Sequence, residues 1–357
     1  MTVTKNAKGL WDVQFYYRDY TNKTIKKHKR NFATKREAIE YAEQFKVQKA
    51  KDISMTFASF VELYLADMET RLRYNTMRSK RYIIELKLLP YFGKKKLSEI
   101  TASDIRLWQQ EMLKKGYKPT YLKTINNQLS AMFNYAIRYY DLPKNPCAIA
   151  GTMGKSNADE MKYYTLEEFE QFVECLKDKP MSYYAMQMLY WTGIRCGELL
   201  AITIGDINLD EKTLVINKSL QRIDGKDIIS DPKTQKSKRV IALPQHLVNM
   251  LGEYMSMLYG KMKKDRLFEI TKSYLEHEMA RGSELSGVKR IRLHDLRHSH
   301  ASLLISKLGA QPLQVAQRLG HERIQTTLGT YSHMYPNQAR ELANQIDALI
   351  EEKKEGD

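Results

Sequence analysis

His294, Arg297, His321 and Tyr331 bring imidazoles, a guanidinium and a phenol into one stretch, Leu293 to Pro336. His294 and Arg297 stand i, i+3, so on a helix they share a face and can grip one anion together. Gly320 reads as a helix stop, which sets His321 at a loop corner. Tyr331 lies between Thr330 and Ser332, a small polar setting unlike core packing. A second cation stands far upstream, in Thr192-Gly-Ile-Arg195-Cys-Gly-Glu198. A Gly turn opening a helix aims backbone N–H groups and Arg195 at one spot, which suits a phosphate. Glu198, one turn on, can hold Arg195 in place. Alone, that pattern is explained equally well by a structural ion pair; beside His294, Arg297 and Tyr331 it gains meaning.

The chemistry that such a set permits is attack on a phosphodiester. A phenol titrates near about pH 10 and is a poor nucleophile at neutrality without help. Arg195 and Arg297 can each give paired hydrogen bonds to non-bridging phosphate oxygens. Their charge also stabilises the pentacovalent transition state. His294 and His321 can accept the phenolic proton or hydrogen-bond the phosphoryl oxygens. A metal-dependent hydrolase competes, because His294 and His298 have the i, i+4 spacing of a zinc pair. Against it, Asp295 stands where that pattern needs Glu, and no third ligand is suitably spaced. His298, His300 and His333 read as packing or hydrogen-bonding residues.

Composition narrows the partner. At 357 residues the chain exceeds one core and suggests two or three domains. Its 58 Lys and Arg against 42 Asp and Glu leave a net charge of +16. That excess points to a polyanion, most simply nucleic acid, bound in a salt-dependent way. The three cysteines, Cys147, Cys175 and Cys196, lack CxxC spacing, which fits a reducing cytosol better than a disulfide or zinc framework. No apolar leader opens the chain and no run approaches membrane-spanning length, so neither secretion nor a membrane is expected.

The elements that must position these residues follow in order. Residues 1–50 hold 12 Lys or Arg against 5 Asp or Glu. Trp11–Tyr17 alternates as a strand, Thr24–Phe32 reads as a charged return strand, and Thr34 caps a helix through Glu37. Residues 51–150 read as four helices: one with a Phe57, Phe60, Val61, Tyr64, Leu65 stripe, a second with Tyr82, Ile83, Leu86 and Leu89, and two more starting at Thr101 and Thr120. Ala148–Asp159 is small, Gly-containing and aperiodic, and reads as an interdomain linker. Thr165 caps a further helix, and Met181–Tyr190 forms a core helix. Leu214–Asn217, Asp227–Ile229 and Arg239–Leu243 read as short strands, the last two enclosing a basic hairpin, Asp231–Lys238. A helix from His246 to about Lys263 precedes a less regular basic segment to Arg292. A last helix carries Ala339, Leu342, Ala343, Ile346, Leu349 and Ile350 on one face.

Arg195, His294, Arg297, His321 and Tyr331, in that chain order, resemble the site of the tyrosine recombinase (phage integrase) family, including integrases of prophages and conjugative transposons. The resemblance spans the whole chain in layout and is sharpest over residues 190–336. It implies a multidomain fold, mainly α with small β-sheets. Residues 1–50 are similar to the β-sheet-plus-helix arm-type DNA-binding domain. Residues 51–150 resemble the four-helix core-binding domain, with Thr120, Lys123 and Asn127 as candidate DNA contacts on one helical face. Residues 160–357 resemble the mixed α/β catalytic domain with a C-terminal interaction helix. In the family the basic hairpin carries a lysine before Thr, which matches Lys233; Lys236 and Lys238 compete for that place. Such a lysine protonates the departing 5′ oxygen, leaving a 3′-phosphotyrosyl DNA that a 5′ hydroxyl later reverses. Bond energy is thereby conserved, and no cofactor, ATP or metal is implied. The implied partners are double-stranded DNA with core and arm sites, three further copies of the chain in a tetramer, and an excision or directionality factor. The implied location is the cytoplasm of a bacterial host. Gly329 departs from the expected pattern, where a polar or larger residue would stand. Two other functions share this fold or chemistry: a non-catalytic DNA-binding regulator and a type IB topoisomerase. Sequence-blind relaxation of supercoiled plasmid would favour the topoisomerase.

Overall fold

A computed structural model describes residues 1–18, 24–50, 55–156, 161–231, 237–335, 343–344 and 346–347. The chain separates into two units, Met1–Asp159 and Glu160–Asp357.

The first unit opens with an antiparallel sheet of β1 (Thr2–Lys5), β2 (Trp11–Arg18) and β3 (Thr24–Phe32), in that order. Alternation along β2 sends Val13 and Phe15 inward, where they meet Ala38 and Ala42 of α1 (Lys35–Ala50). Thr34 and Glu37 exchange the two hydrogen bonds of a capping box, at 3.2 and 3.3 Å. That reciprocal pair satisfies helix-start donors that would otherwise lack partners.

A second core follows, built by α2 (Phe57–Glu69), α3 (Tyr74–Ile83), α4 (Leu89–Phe92), α5 (Ala102–Lys114), α6 (Pro119–Tyr140) and the short α7 (Pro146–Ala150). The α2 stripe is buried as its spacing predicts. The second stripe is buried only in part, at Ile83, with Leu89 half-buried. Tyr82 and Leu86 are 56% and 51% exposed, while Met77, Ile83, Ile84 and Leu88 are buried. The cause lies at Ile84–Leu88, a π turn in which the Leu89 N–H reaches back to the Ile84 carbonyl. Pro90 has no N–H to continue the ladder, so the helix slips by one residue and its inward face rotates. The described part of the expected linker, residues 148–156, is likewise more ordered than its composition suggests, and residues 157–159 lie outside the described residues. Ala148–Ala150 is helical, Met153 is buried, and Gly154 sits against the Pro119 carbonyl at the start of α6.

The second unit has α8 (Leu166–Glu174), α9 (Pro180–Thr192) and α10 (Cys196–Leu199) ahead of five short strands. These are β4 (Ile207–Asn208), β5 (Thr213–Ile216), β6 (Ser219–Ile223), β7 (Lys226–Ser230) and β8 (Arg239–Ala242). They form two sheets, β4-β5-β8 and β6-β7, all antiparallel. The two strands expected to flank the basic hairpin are therefore not partners, since β7 pairs with β6 and β8 with β5; residues 232–236 of that hairpin lie outside the described residues. A hairpin lies earlier, between β6 and β7, where Asp224 and Gly225 take φ of 49° and 81°. A two-residue turn with both φ positive matches the strand twist.

The helices α11 (Gln245–Ser256), α12 (Lys272–Ser286), α13 (Asp295–Ser306) and α14 (Pro312–Leu319) precede α15 (Ile324–Tyr331). The helix from His246 ends at Ser256 rather than Lys263, and α12 occupies the segment taken for irregular. Its inward face hides the apolar signal because it includes Glu278, Gly282 and Ser283. Gly282 is there for contact, since a Cβ would fall 2.5 Å from the Phe172 ring. Most of the expected last helix lies outside the described residues. Ala343, Asn344, Ile346 and Asp347 are helical and exposed.

Candidate active site

Local sequence sets each side chain of the cluster. Gly193 ends α9 in a left-handed turn, φ +65°, and a Cβ there would meet His300 at 2.6 Å and Leu319 at 2.7 Å. Only glycine fits both the angle and the space. The chain leaves that turn extended at Arg195, which stands at the start of α10. Glu198, in the first turn of α10, accepts from the Arg195 backbone N–H at 3.0 Å and from its guanidinium at 2.7 Å. Glu198 is 3% exposed and holds a second arginine, Arg239, at 2.9 Å. Burial alone would raise its carboxyl; hydrogen bonds from Arg239 and the two arginine charges reverse this and hold it below the usual range.

Arg297, on the first turn of α13, is 4% exposed. It donates to the Gly193 carbonyl at 2.8 Å and the Leu319 carbonyl at 2.7 Å. Those bonds occupy two of five guanidinium donors. Among the described residues no carboxylate lies in ion-pair contact with it. Burial, with Arg195 close by, pushes it down to about 9, so it stays charged at neutral pH.

Gly320 closes α14 at φ +69° and leaves His321 on the following corner, as the sequence predicted. His321 Nδ1 meets the Thr327 hydroxyl of α15 at 2.7 Å. Tyr331 ends α15 and is 1% exposed. Its hydroxyl lies 2.7 Å from Nδ1 of His298, whose ring also makes an edge-on contact with His294, centroids 5.3 Å apart. Burial pushes the Tyr331 phenol up to about 12, against the opposing charge of Arg297. Burial and neighbouring charges push His298 and His321 down to about 4, and His294 down as well. At neutral pH these imidazoles are therefore uncharged and able to accept a proton.

The second unit thus brings Arg195, Glu198, His294, Arg297, His321 and Tyr331 into one neighbourhood. Lys233 and Lys236 lie outside the described residues; Lys238 pairs with Asp231 at 3.7 Å. Thr120, Lys123 and Asn127 belong to the other unit, on α6, where Thr120 and Lys123 are half-buried and Asn127 is exposed. Two residues were undervalued from sequence. Arg239 carried no signal, being one cation in a basic segment. His298 carries one, its i, i+4 spacing from His294, which is also the spacing of a zinc pair. His300 is structural, fixed by Arg318 at 3.0 Å beneath Gly193.

Comparison with known proteins bears on the family and the fold. Residues 162–338 match the phage integrase family, residues 56–113 the N-terminal SAM-like domain of phage integrases, and residues 1–49 an arm DNA-binding domain. The ICEBs1 integrase of Bacillus subtilis is 28% identical, over 98% of this chain and 100% of its own length. A XerC-like tyrosine recombinase of Caldanaerobacter subterraneus is 26% identical, over 71% of this chain and 73% of its own. The Tn1549 transposon integrase, solved with a circular intermediate DNA, superposes with a TM-score of 0.70 at 20% identity, covering 82% of this chain and 100% of that one. A lambda integrase tetramer bound to a Holliday junction gives 0.61 at 20% identity, over 94% and 95%. At such identities the two structures speak for the fold. The sequence matches fall in one order along the chain, which is the organisation of a site-specific DNA recombinase. The chain belongs to the phage integrase family of tyrosine recombinases.

Proposed function

We propose that this recombinase integrates and excises a mobile element by cutting and rejoining DNA through a 3′-phosphotyrosyl intermediate. The observation that carries this reading is Arg297: a guanidinium 4% exposed and held, among the described residues, by two carbonyls. A buried charge is costly unless something compensates it, and a DNA phosphate is the anion that the remaining donors suit. Arg195, half-exposed beside it and steadied by Glu198, supplies the second clamp. Tyr331 is the nucleophile, and His294 and His321 hydrogen-bond the phosphoryl oxygens as neutral imidazoles. Lys233, on the segment joining β7 to β8, protonates the departing 5′ oxygen. The phosphotyrosyl bond stores the energy of the one broken, so neither ATP nor a metal is needed.

The wider assembly belongs to the same proposal. Residues 1–50 bind arm sites, residues 51–150 bind the core site with Thr120, Lys123 and Asn127 among the contacts, and residues 160–357 perform the chemistry. Four copies act together on double-stranded DNA in the cytoplasm of a bacterial host, joined by the helix after Tyr331 and steered by a directionality factor. Among the described residues no helix is long and apolar enough to cross a membrane.

The test is Tyr331→Phe on a nicked suicide duplex carrying the joined ends of the encoding element, resolved on a denaturing gel. The variant is expected to bind the duplex normally and to form no covalent adduct. A persistent adduct would show that another residue is the nucleophile.

A further inference from the structure

We propose that His298 is the base for the nucleophile: its Nδ1 aims the Tyr331 hydroxyl and takes its proton as the phosphotyrosyl bond forms. The inference rests on the functional reading above and deepens it. Its basis is direct contact, because the Tyr331 oxygen lies 2.7 Å from His298 Nδ1, the ring centroids being 5.7 Å apart. With Nε2 protonated, a neutral imidazole accepts at Nδ1. His298 in turn is braced edge-on by His294, so its plane is set from one side by a ring and from the other by the phenol.

The step balances without any further reactant. The Tyr331 O–H bond breaks and an N–H bond forms on His298. The Tyr331 oxygen bonds to phosphorus, and the 5′ oxygen leaves as a hydroxyl with a proton from Lys233. In rejoining, the 5′ hydroxyl attacks, its proton returns to the lysine, and the departing phenolate recovers its own from His298.

The surrounding charges give this pair a resting state. His294, Arg292 and Arg297 disfavour an imidazolium at His298, Asp295 favours it, and burial is the largest influence, leaving it near about 4. His321 lies close enough to feel His298, whereas His333, on the turn 332–334, is exposed. The phenol stands at about 12. Without DNA the proton therefore stays on oxygen and the nucleophile is unarmed. A phosphate drawn to Arg195 and Arg297 offsets their charge and makes the imidazolium affordable.

Single-turnover adduct formation on the nicked duplex tests this, with the full chain. His298→Ala is expected to bind the duplex but cleave about 10²-fold more slowly, and added imidazole should restore part of the rate. His298→Asn places an oxygen near Nδ1 and keeps the phenol aimed, yet cannot take a proton. Its rate should stay low and climb with hydroxide, where the wild type levels off above the imidazole inflection. Full rescue by Asn, or wild-type cleavage by the Ala variant, overturns the proposal. Absence of an adduct with the wild type overturns the functional reading itself, and this inference with it.

Discussion

At the scale of single residues, Glu198 joins two arginines, Arg195 and Arg239, that come from opposite ends of the strand region. Glu198→Gln keeps the shape but leaves Arg239, whose side chain is 7% exposed, without its counter-charge. Stability at neutral pH should fall by roughly 3 kcal/mol, the cost of breaking a buried pair, read by urea unfolding. The pH dependence has a definite sign. A carboxyl held below its unfolded value of about 4.3 contributes fully above that pH, and the contribution fades as pH falls through the folded value. The variant should lack this acid-side loss; an identical acid limb in both proteins would argue against the pairing. Lys233→Ala should slow cleavage by ~10²–10⁴-fold if it acts as general acid. A bridging 5′ sulfur, a leaving group that barely needs a proton, should restore most of the rate. If Lys236→Ala behaves that way instead, the assignment belongs to Lys236.

At the scale of elements, the site is held by helix ends more than by helix faces. Gly193 at the end of α9 supplies the carbonyl that Arg297 grips and the gap that His300 and Leu319 fill. Gly193→Ala would force a side chain into a left-handed backbone and against two buried neighbours. A loss of about 2–3 kcal/mol in urea unfolding is expected, together with slower adduct formation. Unchanged stability would mean that the turn relaxes freely and that the arginine is positioned by other contacts. The π turn at Ile84–Leu88 makes the opposite point, since Pro90, just beyond it, changes which residues of a helix face inward.

At the scale of the whole molecule, the sheet-and-helix unit of residues 1–50 has a core of its own, centred on Val13, Phe15, Ala38 and Ala42. Removing it should spare cleavage at core sites and abolish binding to separate arm-type DNA, measured by cleavage and gel-shift assays on the same preparation. Loss of core cleavage together with folding would make the unit a structural part of the larger body.

The fold class was legible in the sequence, as was the place of Arg195, His294, Arg297, His321 and Tyr331 at turns and helix ends, because turns and caps are written locally. Gly320 before His321 and the Thr34 and Thr165 capping boxes each depend on residues within about one helical turn of each other, and the α2 stripe repeats at i, i+3 and i+4. Tertiary structure alone decided the pairings that join distant segments. Sequence spacing could set His298 beside His294, but only tertiary packing, in which Tyr331 joins Ala301 and Ile305 of α13 and Val315 and Leu319 of α14 in one cluster, puts the Tyr331 hydroxyl on its Nδ1. Arg239 likewise reads as one basic residue among many until β8 pairs with β5 and brings it to Glu198. Burial then assigns the charge states, since desolvation and the arginine fields act through space. That is why, in the site, the His298 imidazolium and the Tyr331 phenolate become harder to form than in the free chain, and a neutral histidine faces a protonated phenol.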